Sequence, residues 1–301
     1  MNSDCSRRQF LKRTAAAGAL ALASDELLRA ETPAKRTAVD EVTLGRTGLK
    51  LSRLGMGTGS NNGHTQAALG RDGFTDLVHY AYDQGIRYFD CAEAYATFTW
   101  LGDAIKGLPR EKLFIQSKIG GQPADILAAI DKHRQVFKTD YVDSMLVHCM
   151  TTKNWTDDFK RVMEGYDQAR EKKWIRAKGV SCHSLPALRA AVASDWTEVH
   201  LVRVNPQGRR IDGMEEIVWD NSDPAHDIAP VLAELKNMRA KGRGVIGMKM
   251  IGNGQFVTPE AREISIRYAM SRPELDAVVI GFKSREEIDE AIRRMNLALA
   301  A

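Results

Sequence analysis

Eight short apolar runs alternate with longer segments of helical periodicity, and this alternation constrains the fold more than any other feature of the chain. The strand-like runs are residues 54–58, 86–90, 113–118, 142–148, 175–181, 198–204, 244–249 and 277–281. The helix-like segments are residues 73–84, 97–106, 124–137, 157–172, 185–194, 228–241, 259–271 and 284–299. Parallel strands need long helical crossovers, and eight such units in about 250 residues close into a barrel. The sequence therefore predicts an α/β fold, a (β/α)8 TIM barrel, over residues 41–301.

An open, doubly wound sheet is the competing arrangement of such units. Its dinucleotide signature, G-x-G-x-x-G, is missing after the first strand. Residues 55–59 read GMGTG, which lacks the spacing and is not followed directly by a helix. Residues 42–51, ahead of the first strand, read as a β-hairpin with a glycine-containing turn. We expect this N-terminal hairpin to cover the floor of the barrel.

The first 34 residues differ from the rest and resemble an export signal. Arg7 and Arg8 precede a short run of Ala, Leu and Gly over residues 14–23, and residues 21–23 offer a small-residue cleavage site. This order is typical of the twin-arginine (Tat) signal, although an ordinary basic helix is the alternative. The apolar run is shorter than the roughly 20 residues that span a bilayer, so no permanent membrane anchor is expected. The segment predicts recognition by the Tat machinery and a periplasmic or extracellular protein.

Charge and cysteine content argue against a nucleic-acid-binding protein, a disulfide-stabilised fold and a metal site. The net charge is +4, part of it lies in the leader, and no later Lys/Arg block follows, so nucleic acid is not an expected partner. Cys91, Cys149 and Cys182 remain after the leader and allow at most one disulfide. They follow strand ends and could supply metal ligands with His148 or His183, but no C-x-x-C spacing supports this. No metal is predicted.

Ionisable side chains close three successive strand-like runs. Asp90 ends the second run and Tyr95 follows it, Lys118 ends the third, and His148 ends the fourth. Each has a structural explanation alone, as a helix cap, a packed ring or a lysine reaching solvent. Parallel barrels, however, bring the carboxyl ends of their strands to one mouth, where catalysis takes place. The four residues together therefore predict a catalytic group.

The four residues of this predicted catalytic group resemble the catalytic residues of the aldo-keto reductase family. Residues 90–95 read DCAEAY and resemble its D-x-A-x-x-Y motif, while Lys118 and His148 resemble its third-strand lysine and fourth-strand histidine. Residues 44–49, 54–58 and 179–181 resemble its opening hairpin, first strand and fifth strand. The resemblance implies an NAD(P)H-dependent oxidoreductase that reduces an aldehyde or ketone, or oxidises the alcohol, by hydride transfer.

The resemblance also implies a role for each of the four residues. Tyr95 would be the general acid/base that protonates the carbonyl oxygen. Since a free phenol has a pKa near 10, we expect Lys118 to lower the pKa of Tyr95, with Asp90 holding that lysine charged. His148 would orient the carbonyl oxygen by hydrogen bonding.

The expected cofactor is NADP(H), with NAD(H) as the alternative. The preference rests on two cations and a hydroxyl ahead of the last helix, which suit a ribose 2′-phosphate. The competing interpretation is a capping box between Ser284 and Glu287. By resemblance, the full set of expected cofactor contacts is Gly57, Thr58, Ser181, Asn205, Met248, Lys249, Gly281, Lys283, Ser284 and Arg285.

Several of these positions depart from the family pattern. Cys182 stands where an asparagine follows the fifth-strand serine, and Asn205 lies near the place of the sixth-strand glutamine. Met248 replaces an aromatic residue, and Ala291 replaces an asparagine of the last helix. Two other functions therefore stay open: an epimerase, isomerase or lyase with a tightly bound nicotinamide cofactor, and a non-catalytic binding barrel.

Substrate choice depends on the loops around the mouth. The aromatic residues expected there are Phe98, Trp100, Trp155 and Trp219. Such side chains suit an apolar or sugar-like carbonyl compound, although they are as often packing residues.

Overall fold

A computed structural model describes residues 36–214 and 224–301. Its strands are β1 Glu41–Thr43, β2 Lys50–Ser52, β3 Leu54–Gly57, β4 Tyr88–Asp90, β5 Phe114–Ile119, β6 Val142–Met150, β7 Ile175–Cys182, β8 Val199–Arg203, β9 Gly244–Met248 and β10 Ala277–Gly281. Strands β3 to β10 form a closed barrel in which every neighbouring pair is parallel, and β9 and β10 complete the ring. The predicted (β/α)8 barrel is confirmed.

Helices connect the barrel strands. They are α1 His64–Ala67, α2 Gly70–Asp83, α3 Phe98–Ala104, α4 Ile126–Phe137, α5 Trp155–Asp158, α6 Lys160–Glu171, α7 Leu185–Ala193, α8 Ala229–Ala240, α9 Pro259–Met270 and α10 Arg285–Ala300. Four of them begin where a side-chain oxygen accepts a hydrogen bond from the backbone N–H three residues on, at Asp125, Ser184, Thr258 and Ser284. These caps satisfy amides that the first helical turn leaves without partners. In the described part of the chain, no helix is both long and apolar enough to cross a membrane.

The N-terminal hairpin of β1 and β2 is antiparallel, as predicted, and it contributes to the core inside the barrel. Leu44, Leu49 and Leu51 are buried in one cluster with inward-facing side chains of the barrel strands. Gly45 has φ +48°, and a Cβ there would lie 2.4 Å from the carbonyl carbon of Arg243. Only glycine allows so close an approach in that conformation. The hairpin is thereby fixed next to the start of β9.

Candidate active site

Asp90, Tyr95 and Lys118 meet in hydrogen-bonded contact at one mouth of the barrel. The Lys118 ammonium lies 2.7 Å from each carboxylate oxygen of Asp90, 2.7 Å from the carbonyl oxygen of Cys91 and 3.4 Å from Tyr95 Oη. Its side chain is only 1% exposed. A buried lysine is costly unless it is paired, and here four oxygens surround its ammonium.

The Asp90 carboxylate is fixed by more than the lysine. Gln116 Nε2 donates to Asp90 Oδ1 at 2.8 Å and also contacts Tyr88 Oη at 2.8 Å. Thr58 donates to the Asp90 carbonyl oxygen through its backbone N–H at 2.9 Å and its hydroxyl at 3.1 Å. Thr58, expected at the cofactor, instead holds the end of β4 in place. Asp90 therefore positions Lys118 rigidly.

The pKa of Tyr95 is raised well above its usual value, chiefly by burial and then by the negative charge of Asp90. The expected lowering by Lys118 is therefore wrong. Because Asp90 neutralises the nearby ammonium, the loss of solvent around the phenol dominates. A Cβ on Gly59 would lie 2.3 Å from Tyr95 Cζ, so the missing side chain makes room for the ring. Tyr95 is a protonated phenol at neutral pH.

His148 packs edge-on against the ring of Tyr95. Its ring centroid is 5.6 Å from that of Tyr95, with an interplanar angle of 76°. Burial, followed by the charges of Lys118 and Lys249, lowers the pKa of His148 to about 3, so the imidazole is neutral. The pairing of strand β6 is irregular between Val147 and Met150, and Cys149, which follows His148, has φ +61°.

A cavity of about 460 Å³ extends from Asp90 and Tyr95 towards the start of α10. Its lining includes five of the residues expected at the cofactor, namely Gly57, Met248, Lys249, Gly281 and Lys283. A Cβ on Gly281 would lie 2.0 Å from Ser60 Oγ, so this wall tolerates no side chain there. One cavity is thus lined both by Tyr95 and by the carboxyl ends of β3, β9 and β10.

The other expected cofactor contacts are engaged elsewhere. The Asn205 side-chain amide donates to the carbonyl oxygens of Arg209 and Lys249, at 2.7 and 3.1 Å, so it shapes its own loop. The guanidinium of Arg285 lies 5.0 Å from the ring centroid of Tyr80 on α2. Neither residue lies in the cavity wall, because local partners hold both.

Two further expected contacts are also bound locally. Ser181 Oγ accepts the backbone N–H of Cys149 at 3.0 Å and thus supports the irregular end of β6. Ser284 caps α10, and the Glu287 carboxylate accepts the backbone N–H of Lys283 at 2.9 Å. The start of α10 is therefore capped by Ser284, with Glu287 holding the preceding amide, and Lys283 is the one residue of the 283–285 segment that lines the cavity.

Several lining residues were missed by the sequence reasoning: Ser60, Thr65, Asn253, Arg262, Glu287 and Glu290. Arg262, on α9, is paired with Glu290 of α10 at 2.9 Å. The 252–254 segment, which reads GNG directly after the seventh barrel strand, was the available signal for the turn that carries Asn253. Arg262 had no comparable signal, since charged residues are common in the first turn of a surface helix.

The aromatic residues expected around the substrate are packing residues. Phe98 is 5% exposed and contacts the rings of His133 and Phe137, while Trp155 is 1% exposed and donates to the Ala187 carbonyl oxygen. Trp100 lies against Phe74 and Arg71. Helices α3 and α5 turn Phe98 and Trp155 towards the barrel and neighbouring helices, and the substrate role of these aromatic residues stays a prediction. Trp219 and the leader lie outside the described residues.

Cys91, Cys149 and Cys182, the three cysteines among the described residues, are free thiols. Cys149 Sγ lies 3.6 Å from His183 Nε2, and burial raises the pKa of the Cys149 thiol to about 11. Within residues 36–214 and 224–301, no group of three or more His, Cys, Asp and Glu side chains is arranged to hold a metal ion.

The polar side chains of this site meet at the carboxyl ends of the barrel strands, which is where (β/α)8-barrel enzymes carry their active sites. The profile of the Aldo/keto reductase family matches residues 53–261, and the chain belongs to this family. Over 135 residues it is 36% identical to aldo-keto reductase family 1 member A1 of Xenopus tropicalis, a match that covers 42% of this chain and 37% of that protein. The chain thus matches little more than a third of that relative's length.

Solved structures of the family share the fold. An aldo-keto reductase from Bacillus halodurans in its holo form is 15% identical, with a TM-score of 0.68, covering 87% of this chain and 97% of that one. An aldo-keto reductase from Klebsiella pneumoniae in complex with NADPH is 17% identical, with a TM-score of 0.64, covering 87% of this chain and 90% of that one. At these identities the likeness shows the fold alone.

Proposed function

We propose that this protein is an NADP(H)-dependent oxidoreductase that reduces an aldehyde or ketone, or oxidises the corresponding alcohol. One observation carries the proposal. The hydroxyl of Tyr95, 3.4 Å from the buried ammonium of Lys118, lies in the wall of the cavity that extends to the start of α10. The same cavity therefore holds Tyr95, the proposed proton donor, and offers the nucleotide cofactor a binding site near the start of α10.

The lining of the cavity suits a dinucleotide. Arg262 and Lys283 line it, each next to a glutamate, and offer cationic groups to the phosphates of NADPH. Gly57 and Gly281 let backbone approach a ligand closely, and the Klebsiella pneumoniae relative was solved with NADPH. We propose NADP(H) as the preferred cofactor, with NAD(H) as the alternative.

The chemistry of the site follows from the protonation states of its residues. NADPH, when bound, supplies hydride. As negative charge gathers on the carbonyl oxygen, Tyr95 Oη donates its proton to that oxygen. Lys118 stabilises the phenolate that forms, and Asp90 keeps the lysine charged and in place. His148, neutral in its buried position, donates an N–H to the same carbonyl oxygen and so orients the substrate.

Lys283 and Arg285 provide a matched test of the cofactor site. Replacing Lys283 by Met should raise the Michaelis constant for NADPH in aldehyde reduction by about tenfold, because a charge contact to the 2′-phosphate is lost. The constant for NADH should stay unchanged. Arg285→Met should alter neither, since its guanidinium packs on Tyr80. Equal losses for both nucleotides would contradict this role of Lys283.

We also propose that the Tat pathway exports the protein to the periplasm or beyond, with residues 1–34 as signal and linker and residues 41–301 as the barrel. The support is the order of Arg7-Arg8, apolar run and small-residue site in the sequence. Replacing both arginines by Lys should leave the full chain unprocessed in the cytoplasm, as fractionation and immunoblotting would detect. Equal periplasmic recovery of both forms would contradict the proposal.

A further inference from the structure

Lys249 occupies a strained position at the mouth of the barrel. It follows β9 directly and has φ +61°, in the left-handed region that non-glycine residues rarely adopt. Two neighbours hold this conformation, because the backbone N–H of Gly252 and the side-chain amide of Asn205 both donate to the Lys249 carbonyl oxygen, at 3.0 and 3.1 Å. Strain of this kind is retained mainly at functional sites. Lys249 lines the same cavity as Tyr95.

The ammonium of Lys249 lacks a charge partner. Its hydrogen bond goes to the neutral Asn253 Oδ1 at 3.0 Å, and it forms no ion pair with any carboxylate of the described chain. Lys118 is matched by Asp90, and Arg203 by the buried Asp212. A partly buried cation without a counter-charge is costly. An anion from outside the described chain would remove that cost.

The charge of this ammonium is not offset by its neighbours at the mouth of the barrel. Lys249 acts on the pKa values of His148 and Cys149, both at the end of β6, and its own pKa is lowered to about 8 by burial and then by Arg203. Both neighbours are neutral at pH 7, so they offset none of its charge. Lys283, the cation at the nucleotide end of the cavity, is instead next to Glu287.

We propose that Lys249 binds an anionic group of the carbonyl substrate, and that the protein acts on aldehydes or ketones that carry a carboxylate or phosphate. This inference rests on the proposed reductase function. The diphosphate of the cofactor has the same charge chemistry and is the alternative source of the anion. The position of Lys249 in the cavity wall that also holds Tyr95, the proton donor, favours the substrate.

The test compares 4-carboxybenzaldehyde with its neutral methyl ester as substrates. We expect the wild type to prefer the anion in kcat/KM by about tenfold to a hundredfold, as a charge-assisted contact provides. Lys249→Met should reduce this ratio to about one while leaving the Kd for NADPH, from fluorescence titration, within about twofold. Lys50→Met, which removes an exposed lysine paired with Glu41 on the hairpin, is the matched control and should change neither.

Each other outcome has a definite meaning. A preference for the anion that survives in Lys249→Met overturns the inference, and so does the absence of any preference in the wild type. Weaker NADPH binding with an unchanged preference also overturns it and assigns Lys249 to the diphosphate. If neither aldehyde is reduced, the proposed function fails. The inference is then decided by calorimetric binding of 4-carboxybenzaldehyde, which Lys249→Met should weaken at least about tenfold and which, if unchanged, overturns it.

Discussion

Replacing Tyr95 by Phe should lower kcat/KM for aldehyde reduction by about a hundredfold to ten-thousandfold, the usual contribution of a positioned general acid. The substitution removes only the hydroxyl that lies 3.4 Å from Lys118 Nζ. The ring keeps its place beside Gly59 and His148, so the cavity retains its shape. The Kd for NADPH should therefore stay nearly unchanged.

Tyr80→Phe is the matched control for this prediction. It removes another phenol hydroxyl, one that donates to Asp289 on the surface at 2.8 Å, and neither residue lines the cavity. Its kcat/KM should equal that of the wild type. Turnover that persists in Tyr95→Phe, with unaltered NADPH binding, would mean that another group protonates the carbonyl oxygen.

Lys118→Met should abolish reduction and also destabilise the fold by about 3–5 kcal/mol, because it leaves a buried carboxylate without its partner. The side chains of Lys118 and Asp90 are 1% and 7% exposed, so solvent cannot compensate. Urea unfolding of the wild type and the variant measures the loss. The predicted effect on turnover has a separate cause, since the phenolate of Tyr95 would form without a nearby cation.

The double variant Asp90→Asn with Lys118→Met separates the two effects. An asparagine carries no charge and can still accept the hydrogen bond from Gln116, so most of the lost stability should return. Turnover should not return, because the ammonium is still missing. A double variant as unstable as Lys118→Met alone would show that packing, rather than an unpaired charge, sets the stability loss.

Much of the barrel was predictable because each strand leaves a local signature. Every predicted barrel strand is present, and Asp90, Lys118 and His148 lie at or near the carboxyl ends of β4, β5 and β6. Periodicity reports which residues share a face of one element, and in a parallel barrel the strand ends share a mouth. Lys118 and Asp90 could thus be placed together without any knowledge of the helices.

What the sequence did not predict depends on contacts between distant segments. Lys283 and Arg285 are two residues apart with similar chemistry, yet one lines the cavity and the other packs on Tyr80 of α2. The direction of each side chain follows from how α10 docks on the barrel, which no local pattern reports. The raised pKa of Tyr95 has the same origin, since burial by remote segments outweighs the neighbouring lysine.

Transfer of deuterium from NADPH that carries deuterium at both hydrogen positions of its hydride-donating carbon tests the proposed reaction most directly. The full chain is incubated with labelled NADPH and 4-carboxybenzaldehyde, and the product is analysed by mass spectrometry. We expect the benzylic alcohol to carry one deuterium for each NADPH oxidised. Alcohol without deuterium, or product formed with no net consumption of NADPH, would contradict a reductase that transfers hydride directly from its cofactor to a carbonyl.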